Sequence, residues 1–94
     1  MLFRSYRVGI DLELIEERSE AFSEYFSSQE RALVVYDSQG KIADEATKIT
    51  ALWCLKEATT KALGLGFHLA LSEVIVQGLA ADGRASLEIG RAHV

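Results

Sequence analysis

The chain has 94 residues, with 49% hydrophobic content and a formal charge of −4 from 10 basic and 14 acidic side chains. That is enough for one small domain with one core, and too apolar for a disordered tail. The acidic balance argues against non-specific nucleic-acid binding and against a polybasic membrane anchor. One cysteine, Cys54, permits no internal disulfide, which suits the cytoplasm, and no apolar run approaches membrane-spanning length.

The two ends are unusual as nucleotide strings. Met1 to Ser5 can be back-translated as GTG CTC TTC CGA TCT, with GTG as a start codon, and Ile89 to Val94 as ATC GGA AGA GCA CAC GTC. The strings are largely reverse complements and match a common short-read sequencing adaptor. The expectation is that residues 1–5 and 89–94 are adaptor read-through and that the domain occupies residues 6–88. His93 falls in the second of these ends.

In chain order, "YRVGIDLELI" (6–15) alternates and predicts a strand. "SEAFSEYF" (19–26) predicts a short helix with Phe22, Tyr25 and Phe26 on one side. "SSQERALVVY" opens with a capping box, Ser27 to Glu30, and predicts a second short helix. "DSQGK" is a turn with Gly40 at positive φ. A long helix follows from about Ala43 to Leu63, free of Gly and Pro, with Gly64 as its C-terminal stop. "LSEVIVQG" and "RASLEI" predict two strands joined at Asp82-Gly83. The order β, α, α, α, β, β reads as an α+β domain: a small antiparallel sheet packed against one long helix.

Several side chains have the chemistry of a site. Asp11 and Glu13, two apart on a strand, share a face, while Val8, Ile10, Leu12 and Leu14 take the other. Adjacent carboxylates repel unless the face is wet or carries a cation such as Mg2+. On spacing alone the wet face is the better reading. Glu57 and Lys61 form an i, i+4 pair in the favoured orientation, and by themselves read as a solvated helix face. Lys56 points elsewhere. Gly64-Leu65-Gly66 is a helix stop and turn, or glycines beside a lysine that let a phosphate approach the backbone. Ile49, Leu52 and Trp53 read as core. Cys54 has no evident base and reads as a packing residue, and His68 has no partner histidine.

The order of these pieces is more specific than any one of them. "VGIDLELIEE", "FSEYFSSQERALV", "LWCLKEATTKALGLGF", "SEVIV" and "GRASLEI" together resemble the 4′-phosphopantetheinyl transferase superfamily from Val8 to Glu88. The matching motifs are G-[IV]-D-x-E, F-S-x-x-E, and W-x-x-K-E-A-x-x-K with a glycine-containing exit.

The resemblance implies transfer of phosphopantetheine from coenzyme A to a serine of an acyl or peptidyl carrier protein, as in fatty acid, polyketide or nonribosomal peptide biosynthesis. By resemblance, Asp11, Glu13 and Glu57 are Mg2+ ligands converging on one cation, and Glu57 also takes the serine proton. Lys61 binds coenzyme A phosphate and stabilises developing charge, with Lys56 and Gly64 as further cofactor-binding candidates and Lys56 otherwise structural. Asp11-x-Glu13 and Trp53 favour the surfactin-synthetase-activating branch, in which this chain is the C-terminal half of a pseudo-dimer. The holo-acyl-carrier-protein synthase branch instead trimerises. Either way, an apolar surface is expected where a missing half or other subunits pack. The rival readings are a non-catalytic interaction module and an inactive fragment of such an enzyme.

Overall fold

The computed structural model describes residues 8–37, 39–64 and 71–90. A 3-10 helix, Glu20–Tyr25, is followed by a one-turn helix α1, Ser28–Arg31, and by the long helix α2, Glu45–Leu63. A 3-10 turn, Leu71–Glu73, leads into β1, Val74–Leu79, and then β2, Ala85–Ile89. The architecture is α+β, with a two-stranded antiparallel sheet and a long helix, as the sequence predicts.

The local signals act where expected. The Ser27 side chain accepts from the Glu30 N–H, while the Glu30 carboxylate accepts from the Ser27 N–H, a complete capping box. Asp44 caps α2 by accepting from the Thr47 N–H at 2.8 Å, one residue later than the predicted start. Gly64 ends α2 at φ 66°, a left-handed conformation that glycine adopts without a Cβ penalty. The β1–β2 hairpin pairs Val74 with Ile89 and Leu79 with Ala85, interrupted by a register shift between Val76 and Gly78. Ile89 therefore extends the ladder, and the Gly90 N–H donates to the Glu73 carbonyl at 2.7 Å.

The core joins three parts of the chain. Phe26, Ile49, Leu52 and Val76 are buried together, with Phe22, Leu33, Trp53, Leu55 and Leu79 packed against them. Phe22 and Trp53 stack with centroids 4.4 Å apart, and Tyr25 meets Trp53 edge-on at 5.4 Å. Within this apolar volume lies an ion pair. Lys56 is 0% and Glu30 1% exposed, yet both are charged residues of types rarely buried without a partner. The Lys56 ammonium donates to Glu30 Oε1 at 3.0 Å and to the Tyr25 carbonyl at 2.6 Å, and pairs with Glu30 Oε2 at 3.0 Å. Glu30 also accepts from the N–H groups of Ser27 and Val76, each at 2.9 Å. One carboxylate thus ties α1, α2 and β1 together.

One predicted element differs. Residues 8–15 form no strand and pair with neither β1 nor β2. The period-two alternation survives, but its sides are reversed with respect to water. Gly9, Asp11 and Glu13 turn inward, whereas Val8, Ile10, Leu12 and Leu14 are 73–93% exposed. The reason lies in what the segment meets. Gly9 lies against α2, where a Cβ would collide with the Ala58 carbonyl oxygen and stand 2.7 Å from the Ala62 nitrogen. Asp11 and Glu13 find partners on that helix, which the apolar side chains cannot supply.

The buried pair makes a clear prediction. Removing one partner strands the other charge in the core, so Lys56→Met should lower unfolding free energy by about 3–5 kcal/mol. Urea denaturation followed by Trp53 fluorescence measures this. A loss no larger than that for an exposed lysine such as Lys41 would contradict the role given to the pair.

Candidate functional site

The predicted site residues come from two elements. Asp11 and Glu13 lie on the segment beside α2, and Lys56, Glu57 and Lys61 lie on α2 itself. The approach that Gly9 permits brings Asp11 to Lys61 and Glu13 to Trp53. The Lys61 ammonium donates to Asp11 Oδ1 at 2.7 Å and to the Ile10 carbonyl at 3.2 Å. The Trp53 indole N–H donates to Glu13 Oε1 at 3.1 Å. Both carboxylates are therefore oriented by α2, one by a cation and the other by a neutral donor.

The electrostatics follow from this geometry. The hydrogen bond from Lys61 holds the Asp11 carboxyl below its ordinary range, against a smaller opposing effect of burial. The same bond raises the Lys61 ammonium, and the charges of Glu57 and Glu13 add to it. All three acidic residues thus act on one ammonium. The Asp11 side chain is 7% exposed, and its second oxygen, Oδ2, is buried without a protein partner. Cys54 sits beside the two carboxylates. Burial first, then Asp11 and the negative charges, push its thiol up to about 11.

The expected convergence on one metal ion is not present in this arrangement. Among the described residues, no group of three or more His, Cys, Asp and Glu is placed to hold a metal. The cation the carboxylates meet is Lys61. The donor set still suits a hard divalent ion, which needs only one or two carboxylates besides phosphates and waters. Asp11 Oδ2 is a buried oxygen without a hydrogen-bond partner, and the protonated Cys54 thiol offers no competing soft ligand.

The remaining candidates divide. Lys56, a candidate for phosphate or for structure, is enclosed and its donors are taken, so the geometry gives it the structural part. Gly64 is exposed at the end of α2, with its N–H bonded to the Lys61 carbonyl at 3.1 Å. Gly66 and His68 lie outside the described residues. A hollow of about 510 Å3 opens beside Asp11, between Gly9 and Ile10 on one side, Ala51, Cys54 and Ala58 on α2, and the hairpin loop at Ala80–Gly83. The small side chains of α2 make this space.

Sequence reasoning missed three contributors. Trp53 reads from the sequence as core and as the start of a motif, and in the structure its N–H also orients Glu13. Gly9 was part of a motif without a role, although a glycine within a strand pattern signals close backbone approach. Cys54 was placed in packing without its carboxylate neighbours. Its raised pKa is testable. Only the thiolate is alkylated rapidly, so the iodoacetamide rate at Cys54 should keep rising with pH and reach half its maximum at about pH 11. A midpoint at about pH 9, the ordinary thiol value, would show that neither burial nor the carboxylates act on the thiol.

No helix among the described residues is long and apolar enough to cross a membrane. No curated protein and no solved structure matches the chain. The family model of the 4′-phosphopantetheinyl transferase superfamily matches residues 7–92, which spans the Asp11–Glu13 segment, α1, α2 and the hairpin. The chain belongs to the 4′-phosphopantetheinyl transferase superfamily.

Proposed function

We propose that the Asp11, Glu13, Glu57 and Lys61 constellation serves Mg2+-dependent transfer of 4′-phosphopantetheine from coenzyme A to a carrier-protein serine. The observation that supports this reading is the Lys61–Asp11 contact, in which an ammonium meets one motif carboxylate and is acted on by the charges of Glu57 and Glu13. Asp11, Glu13 and Glu57 are the carboxylates for Mg2+, which neutralises pyrophosphate charge when bound. Lys61 leaves Asp11 for a coenzyme A phosphate, and its charge then offsets the negative charge that develops there. Gly64 closes the helix next to Lys61 without a side chain to obstruct that phosphate.

The chemistry balances on these residues. The serine oxygen forms a bond to the β-phosphorus, and the bond from that phosphorus to the bridging oxygen breaks. Adenosine 3′,5′-bisphosphate leaves with that electron pair, and the serine proton goes to Glu57, directly or through water. The exposed Val8, Ile10, Leu12 and Leu14 support a packing partner for this chain, either the second half of a pseudo-dimer or further subunits. Asp11-x-Glu13 and Trp53 favour the two-half branch.

The acyl or peptidyl carrier is the partner. A groove between the 3-10 helix and α2 offers Phe22, Ala46 and Ile49 to it, but Glu17, Glu20, Glu24, Asp44 and Glu45 there outnumber Arg18 and Arg31. An acidic carrier therefore gains no general electrostatic attraction from that groove. The single half-buried thiol, with no disulfide partner, supports a cytoplasmic setting. A second reading, an inactive fragment or non-catalytic module, is favoured by one observation: the three carboxylates are not gathered into a metal cluster.

Substitution of Glu57 separates the two. Glutamine keeps the shape and helix propensity while removing the charge. With Mg2+, coenzyme A and an apo carrier protein, Glu57→Gln should lower the transfer rate by about 10²–10⁴-fold if the carboxylate accepts the proton. The carrier's mass gain reports the transfer. A variant as fast as the parent removes Glu57 from the mechanism, and a parent that transfers nothing favours the inactive reading.

A further inference from the structure

Lys56 and Lys61 lie on the same helix and do opposite things. The first is sealed in the core on Glu30, and the second is half-exposed on Asp11. Five residues on an α-helix correspond to a rotation of about 140° about its axis. A helix held against a hydrophobic core by dispersion and burial alone can roll by small angles, because those forces are non-directional. Hydrogen bonds between charged groups are directional. The Lys56 ammonium has three acceptor contacts, and the Glu30 carboxylate is itself anchored by the N–H groups of Ser27 and Val76.

We propose that the buried Lys56–Glu30 pair is a positioning pair for the site: it sets the rotation of α2, and so decides that Lys61 meets Asp11. Neither Lys56 nor Glu30 touches the reacting atoms. They act through Lys61, whose direction follows from the angle at which Lys56 enters the core. The tight seat of Gly9 against Ala58 and Ala62 makes the site sensitive to that angle, since a small roll of α2 moves the helix surface on which residues 9–13 rest. The functional consequence rests on the transfer reading above, whereas the geometric claim is read without turnover.

The test is a zero-length carbodiimide cross-link between the Lys61 amine and the Asp11 carboxylate, located by peptide mass spectrometry in the 94-residue chain. The parent forms this amide. Two variants alter the pin. Glu30→Gln keeps an acceptor for a backbone N–H but leaves the Lys56 charge without its partner. The pair Lys56→Met with Glu30→Gln leaves no buried charge unpaired. Circular dichroism identifies the folded variants.

Loss of the Lys61–Asp11 cross-link in a folded variant supports positioning. Parental cross-linking in a folded Glu30→Gln chain, or in the folded double variant, overturns it, because the pair then contributes stability alone. Absence of the cross-link in the parent also overturns it. In the transfer assay a positioning role further raises the KM for coenzyme A in the folded variants, which loss of stability alone would not do. A parent without transfer activity refutes the transfer reading but leaves the cross-link result decisive for positioning.

Discussion

A lysine ammonium and a glutamate carboxylate cannot remain in an apolar core unless each is answered, and here the answer fixes how the chain is put together. Glu30 is 1% and Lys56 0% exposed. Burial alone would push the Glu30 carboxyl up, yet hydrogen bonds from the Val76 and Ser27 N–H groups and from Lys56 hold it below its ordinary range. The carboxylate is therefore the shared acceptor of three elements. Apolar contacts among Phe26, Ile49, Leu52 and Val76 drive those elements together, but tolerate many arrangements. The charged pair accepts few, since any displacement that breaks it strands a charge.

The second ion pair has the opposite physical character. Lys61 is half-exposed, so water screens its attraction to Asp11 and can replace it. A pair of this kind contributes little to holding a fold, and for the same reason it can be exchanged for a ligand at small cost. The contrast explains why one helix carries both lysines. Lys56 is spent on architecture, while Lys61 keeps its ammonium at the surface among Asp11, Glu13 and Glu57. The thiol of Cys54, kept protonated by burial first and then by Asp11 and Glu13, leaves the wall beside Asp11 uncharged.

Features encoded over a few residues were legible. The Ser27–Glu30 capping box, the Gly64 stop and the Asp82-Gly83 hairpin depend on neighbours in sequence, and each occurs as read. The motif residues Asp11 and Glu13 lie along α2, Asp11 at Lys61 near its C-terminal end and Glu13 at Trp53 near its middle. What was not legible depends on distant partners. Glu30 looked like a cap and nothing more, because its other partners lie 26 and 46 residues away. Lys56 was left between two roles for the same reason. The segment 8–15 alternates as a strand should, but alternation does not say which side faces protein. The small residues of α2, Ala58 and Ala62, and the donors Lys61 and Trp53 decide that its acidic side turns inward.

The central claim is that Asp11 and Glu13, turned toward α2, form the cation-binding edge of a phosphate site. Paramagnetic broadening by Mn2+, a substitute for Mg2+, tests it most directly in an isotopically labelled chain with coenzyme A present. The account predicts early, selective loss of the Asp11, Glu13 and Cys54 signals at low Mn2+. Broadening spread over the exposed acids Glu16, Glu17, Glu20 and Glu24, with no preference for Asp11 and Glu13, would contradict it.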